Sequence, residues 1–94
     1  MRQGSLTLVA KDTTRARARQ AAGLADGLGD EDPAVGLHAV WALRTLLEQV
    51  ERLQVDRARD LGWSWQDIAS ALRVTKQSAH EKHAMRRRAM GMEG

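Results

Sequence analysis

Apolar residues recur at helical spacing along the middle of the chain and form a broad stripe between residues 32 and 61. Asp32 suits the cap of a helix and Pro33 its first position, whereas Gly62 suits the left-handed residue that follows a helix. We therefore predict one long helix over residues 32–61. At 1.5 Å per residue, a helix of about 28 residues would be about 42 Å long, which is too long for one side of a small three-helix domain.

Two shorter helices are predicted in residues 62–88. Ser64 is a favourable cap for the first helix, residues 73–75 form a short break, and Thr75 can cap a second helix that begins at Lys76. The inner faces would consist of Ile68, Ala69 and Leu72 in the first helix and Ala79 and His83 in the second. A short amphipathic helix, a tight turn and a polar helix are typical of a helix-turn-helix that places its second helix in the DNA major groove.

Two positions depart from that pattern. Arg73 stands where glycine is common, so the chain needs either a less strained turn or an arginine with a positive φ. Ala79 and His83 are weaker inner-face residues than the larger aliphatic side chains that this face usually carries.

Residues 1–31 are predicted to be a basic N-terminal arm, flexible and only partly ordered. Ser5 to Ala10 alternate weakly and could form a short strand, but the chain offers no sheet for it to join. Thr14 to Leu24 could form a short helix, because alanine and arginine are strong helix formers. At the other end, residues 89–94 are expected to be frayed.

Charge is distributed unevenly, although the formal net charge is only +3. Residues 1–25 are basic, residues 26–56 are acidic, and the chain is basic again from Arg57 onward. A basic segment that overlaps the predicted helix-turn-helix suits a polyanion. The chain has no cysteine, no membrane-spanning apolar run and no signal-peptide core. We expect a cytoplasmic, nucleoid-associated protein.

The sequence offers no convincing catalytic group, so we expect no enzyme activity and no cofactor. His80 and His83 have a spacing that can hold a metal, but no third ligand is evident, and no metal site is predicted. Trp63 and Trp65 could stack on unpaired bases, although packing against the long helix is the commoner role.

The wide apolar stripe of the long helix requires a cover. Symmetric homodimers are the commonest oligomers, and a second copy of the helix would bury the stripe. The predicted dimer interface consists of Leu37, Val40, Trp41, Leu43, Leu47 and Val50. The alternative is that residues 1–31 fold back and cover the stripe within one chain.

The segment LQVDRARDLGWSWQDIASALRVTKQSAHEKH resembles small helix-turn-helix proteins of actinobacteria, whose motif is similar to the promoter-reading region of sigma factors. The resemblance covers about Asp32 to Arg88 and implies an all-α fold and a transcriptional regulator that binds double-stranded DNA, which with the predicted dimer would act as a homodimer. By position, the base-contacting residues would be Lys76, Gln77 and His80. The predicted backbone-contacting residues are Arg73, Thr75, Ser78, Lys82, Arg86, Arg87 and Arg88. The alternative function is an adaptor whose long helix docks a sigma factor or another regulator.

Overall fold

A computed structural model describes the backbone from Arg2 to Gly94 and the side chains from Asp12 onward. The chain forms four α-helices, and the described residues contain no strand, which confirms the all-α prediction. The helices are α1 (Arg2–Ala25), α2 (Pro33–Asp60), α3 (Trp65–Leu72) and α4 (Lys76–Ala89), with a 3₁₀ turn at Asp26–Gly29 between α1 and α2. No helix in the described part is long and apolar enough to cross a membrane.

The chain divides into two compact units, and the boundary falls inside α2. The N-terminal unit comprises residues 1–53 and the C-terminal unit comprises residues 54–94. The candidate recognition helix α4 therefore belongs to a unit of about 40 residues that also contains α3 and the last turns of α2.

Helix α1 is longer than the sequence predicted. It begins at Arg2 rather than near Thr14, and Ser5 to Ala10 are helical, so the strand alternative is wrong. The helix also continues past Gly23 to Ala25. A nucleated helix gains one hydrogen bond for each residue that it adds, and no proline interrupts residues 2–25, so the helix can extend beyond the shorter range that we predicted.

The start of α2 matches its prediction. The backbone N–H of Ala34 donates to the Asp32 carboxylate at 2.9 Å, and Pro33 occupies the first helical position. The preceding 3₁₀ turn packs closely on this helix. A Cβ atom added to Gly27 would lie 3.0 Å from the Cβ of Ala39, so only a residue without a side chain fits this approach comfortably.

The six residues of the predicted dimer stripe differ in how far they are buried. Ala39 and Leu46 are buried, and Leu43 and Val50 lie beside them on the same side of the helix and are half-buried within the chain. The other four stripe residues are exposed: Leu37, Val40, Trp41 and Leu47. Leu43 and Leu47 are four residues apart and share one side of the helix, so the half-buried residues adjoin the exposed ones, and the six-residue dimer interface stays a prediction.

The C-terminal unit has a small core formed by three helices. Its buried apolar residues are Val55 from α2, Trp65, Ile68 and Ala69 from α3, and Ala79 and Ala84 from α4. Both predicted caps are present. The backbone N–H of Asp67 donates to the Ser64 hydroxyl at 3.0 Å, and that of Ser78 donates to the Thr75 hydroxyl at 3.0 Å. Gly62 follows α2 with a φ of 91°, as predicted.

The turn between α3 and α4 contains an arginine in the left-handed region. Arg73 has φ 59° and ψ 42°, which confirms the second of the two possibilities that its position allowed. The turn closes through the backbone N–H of Val74, which donates to the carbonyl oxygen of Ala69 at 3.0 Å. A left-handed residue at this place ends many helices, and here it turns the chain sharply into α4.

The C-terminal residues are folded back on their own unit, contrary to the frayed end that we predicted. Gly91 has a φ of 79°, which reverses the chain after α4. The indole N–H of Trp65 donates to the Gly94 carbonyl at 2.6 Å, and Nε of Arg87 donates to the Glu93 carbonyl at 2.8 Å. These two hydrogen bonds, from buried side chains, hold the last residues against the C-terminal unit. The amino-acid composition of the tail does not predict them.

Candidate nucleic-acid interface

Helix α4 has a buried side and an opposite, exposed side. Ala79, His83 and Arg87 are buried and follow one another at four-residue spacing, so they mark the inner side. The residues of the outward face are Gln77, Ser78, Glu81, Lys82 and Met85, all of which are exposed. Lys76 is also exposed, in the first turn of the helix. Most of this face is polar, as a surface that enters a DNA groove requires.

Small residues allow α3 and α4 to cross closely. Ala69 of α3 is 0% exposed and Ala79 of α4 is 2% exposed, and both belong to the same buried cluster. A larger side chain at either position would separate the helices, because protein cores are packed without spare volume. Ala79, which looked too small in the sequence, is therefore suited to its position.

Gln77 and Glu81 are bonded to each other on the outward face. The side-chain amide of Gln77 donates to the Glu81 carboxylate at 2.9 Å, one helical turn further along. Sequence reasoning assigned Gln77 to the reading surface but did not include Glu81 in it. The four-residue spacing of Gln77, Glu81 and Met85 was the available signal for a shared face.

His80 lies at the edge of this surface and contacts α3. It is half-buried, and its ring meets the ring of Trp65 edge-on with 5.4 Å between the centroids. The guanidinium of Arg59 lies 5.0 Å from the centroid of the Trp65 ring. The ring of His80 thus packs against α3 at the edge of the outward face, and its predicted base contact stays a prediction.

The two tryptophans near α3 have different environments. Trp65 is buried in the core of the C-terminal unit together with Val55 of α2, which agrees with the packing role that we preferred. Trp63 keeps 44% of its surface exposed, and its carbonyl oxygen accepts a hydrogen bond from Arg59 at 2.8 Å. The expected packing role thus applies fully only to Trp65.

Arg86 and Arg87 pair with Asp56 and Asp60 of α2 in a partly buried ion cluster. Arg86 binds both carboxylate oxygens of Asp56, at 2.9 and 3.1 Å. Arg87 is 2% exposed and donates to Asp56 at 2.8 Å and to Asp60 at 3.2 Å. Both were predicted to contact the DNA backbone. Their hydrogen bonds to α2, and the burial of Arg87, remove them from that set.

The cluster also stabilises the negatively charged form of Asp56. Burial raises the pKa of this carboxyl group, but the hydrogen bonds and positive charges of Arg86 and Arg87 outweigh burial and hold its pKa below the ordinary 3.8. His83 lies beside the cluster, with Nδ1 3.2 Å from Nη2 of Arg86. The cluster is therefore a structural link between α2 and α4 and not a site for an external anion.

Several predicted phosphate-contacting residues remain exposed around α4. Arg73, Lys82 and Arg88 are basic and exposed, and Lys76 adds a fourth exposed cation in this region. The exposed hydroxyl-bearing residues Thr75 and Ser78 lie at the start of α4. Among the described residues, no group of three histidine or acidic side chains is placed to hold a metal ion.

A second exposed surface lies on α2 in the N-terminal unit. The exposed α2 face is defined by the four apolar residues Leu37, Val40, Trp41 and Leu47. Leu37 is 68% exposed, Trp41 61% and Leu47 57%. The ring of Trp41 has only a tilted contact with His38, at 5.7 Å between centroids. These four residues form an exposed apolar patch at helical spacing.

No protein-family model matches the chain, and neither a curated protein nor a solved structure gives a significant match. The resemblance to actinobacterial helix-turn-helix proteins therefore remains a prediction from the sequence.

Proposed function

We propose that this chain is a sequence-specific double-stranded DNA-binding protein, which associates with the nucleoid in the cytoplasm and regulates transcription as a homodimer. The observation that carries the proposal is the exposed polar start of α4, held by the close crossing of α3 and α4 at Ala69 and Ala79. In helix-turn-helix proteins the first residues of the second helix meet the base edges. Here Lys76 and Gln77 occupy those positions and are exposed.

Lys76 and Gln77 have the chemistry to read bases. Lysine suits the O6 and N7 acceptors of guanine, and glutamine can pair with N6 and N7 of adenine. Around them, the predicted backbone contacts come from Thr75, Ser78 and three cations: Arg73, Lys82 and Arg88. Phosphate contacts of this kind supply affinity without sequence preference and fix the register of the protein on the duplex.

The first experiment measures binding to a random-sequence duplex as the salt concentration rises. Each phosphate contact releases counterions, so the logarithm of the affinity should fall linearly with the logarithm of salt, by about 0.9 units per contact. Arg88→Gln and Arg73→Gln should each lower that slope by about one. Arg19→Gln removes an exposed arginine from α1 and serves as the matched control. No binding at any salt, or an equal effect of Arg19→Gln, would contradict the proposal.

The homodimer part of the proposal is supported by the exposed α2 face. This face is apolar, and a two-fold axis would bring the same four residues of a second copy against it. Leu47→Glu would place a charge in the seam, and burying an unpaired charge is strongly unfavourable. Leu61→Glu is the matched control, since Leu61 is a similarly exposed leucine in the C-terminal unit.

Sedimentation at micromolar concentration tests the dimer. The wild type and Leu61→Glu should sediment as dimers, whereas Leu47→Glu should sediment as a monomer. A monomeric wild type would refute the homodimer. Because the exposed α2 face is apolar, a monomeric wild type would favour the second candidate function, an adaptor that docks a sigma factor or another regulator on this face. The adaptor also predicts no binding to duplex DNA at any salt concentration.

A further inference from the structure

The side chain of Glu81 is the one carboxylate on the outward face of α4, beside the residue that we propose as an adenine reader. A carboxylate on a DNA-binding surface repels the phosphate backbone and weakens binding to every sequence. It becomes favourable only where it meets a hydrogen-bond donor on a base edge. In the major groove the exocyclic amino group of cytosine is such a donor, and glutamate is suited to accept from it.

We propose that Glu81 is a specificity-determining residue that selects a cytosine close to the adenine read by Gln77. This inference rests on the proposed DNA-binding function. Glu81 and Gln77 are four residues apart, which corresponds to about 6 Å along the helix. Successive bases of one strand are 3.4 Å apart, so a helix lying along the groove brings these two side chains to bases within about two positions of each other.

The hydrogen bond between the two side chains makes them a single reading unit. The amide nitrogen of Gln77 has two hydrogens, and one of them is donated to Glu81 at 2.9 Å. The second hydrogen and the amide oxygen remain available, and they form the donor and acceptor pair that matches N7 and N6 of adenine. Glu81 thereby fixes which way the Gln77 amide faces, while its other lone pairs remain to accept from cytosine.

Met85 continues the same line one turn further along α4 and is 74% exposed. An apolar side chain at this place adds no hydrogen-bond requirement of its own. The discriminating chemistry of the outward face therefore lies in the Gln77–Glu81 pair, together with Lys76 in the first turn. The alternative is that the hydrogen bond between Gln77 and Glu81 is a surface contact that only stabilises the helix, as side-chain pairs four residues apart often do.

The test is selection of binding sites from a randomised duplex library by the full chain, followed by affinity measurement on the selected duplex and its single-base variants. The wild type should select a cytosine within two positions of an adenine. Glu81→Gln should bind random duplex more tightly at low salt and should lose about 5- to 150-fold of its discrimination at the cytosine position, the range of one good base contact. Glu31→Gln removes an exposed carboxylate from the N-terminal unit and is the control.

The outcomes separate this inference from the function on which it rests. A wild type that binds no duplex overturns both. A wild type that selects a site, with Glu81→Gln keeping the same preference at every position, overturns the role of Glu81 and leaves DNA binding intact. Equal far-UV circular dichroism and equal midpoints of unfolding for the wild type and Glu81→Gln would establish that lost discrimination is not lost folding. If Glu81→Gln and Glu31→Gln raised the affinity for random duplex equally, Glu81 would lie no closer to the DNA than Glu31 does. That result would contradict the proposal.

Discussion

Replacing Arg87 with glutamine should strongly destabilise the C-terminal unit. Arg87 is 2% exposed and its guanidinium donates to Asp56, to Asp60 and to the carbonyl oxygen of Glu93. Glutamine is too short to reproduce this set of bonds, and it leaves part of the cluster without a partner. The change therefore tests whether the ion cluster holds α4 against α2.

The expected loss in the free energy of unfolding depends on which bonds of the cluster remain after the substitution. Removing one partner of a buried ion pair costs about 3–5 kcal/mol. Arg86 would still bind Asp56 through two hydrogen bonds, and the side chain of Asp60 is 67% exposed, so water can solvate it. We therefore expect a loss of about 2–3 kcal/mol. At about 0.05–0.15 kcal/mol per residue, a unit of this size is stable by only about 2–6 kcal/mol, so the loss is large.

Urea denaturation followed by NMR is the appropriate measurement, because the amide signals of α4 report on the C-terminal unit by itself. Arg88→Gln is the matched control, since it removes the same charge from the neighbouring, exposed position. The control should change the free energy of unfolding by less than about 0.5 kcal/mol. Equal free energies of unfolding for the two variants would refute the reasoning.

The ion cluster also predicts how the free energy of unfolding changes at acidic pH. The pKa of Asp56 is lower in the folded state than its ordinary value of 3.8. Its stabilising contribution is therefore complete above pH 3.8 and is lost as the pH falls through the lower folded pKa. The free energy of unfolding should decline in that acidic window for the wild type, and less steeply for Arg87→Gln, which lacks one of the two guanidinium partners. An identical decline in the two proteins would contradict the assignment.

Three further predictions follow from the C-terminal unit. Arg73→Gly should raise the free energy of unfolding by about 0.5–1 kcal/mol, because a left-handed backbone strains any residue with a side chain; a decrease in urea denaturation would show that the Arg73 side chain is needed. Gln77→Ala should cost about 1–3 kcal/mol at the selected DNA site and little on random duplex, and equal losses on both would disprove base reading by this helix. Deleting residues 93–94 should cost about 1–2 kcal/mol, because the indole N–H of Trp65 and Nε of Arg87 lose their acceptors; an unchanged denaturation midpoint would show that the tail contributes nothing.

Local signals in the sequence predicted local structure well. Ser64, Thr75 and the Asp32–Pro33 pair place the starts of α3, α4 and α2, because a cap acts on backbone groups only two or three residues away. Gly62 likewise marks the end of α2. These features require no knowledge of how distant parts of the chain meet.

Contacts between distant residues explain the predictions that failed. Arg86 and Arg87 looked like a basic tail because their partner Asp56 lies about thirty residues earlier in the sequence. The contact between the rings of His80 and Trp65 was likewise not predicted, because it depends on how α3 and α4 pack together. Charge and spacing alone do not determine which of several cations a buried carboxylate will bind.

The unequal burial of the three tryptophans gives the protein its own optical probes. Trp41 lies on the exposed α2 face, Trp63 is partly exposed, and Trp65 is buried with its indole N–H bonded. Indole emission shifts to shorter wavelength when water is excluded, so self-association through α2 would shift the contribution of Trp41 and leave that of Trp65 unchanged. Unfolding of the C-terminal unit would shift the emission of Trp65 in the opposite direction. Fluorescence can thus distinguish assembly from loss of structure without an added label.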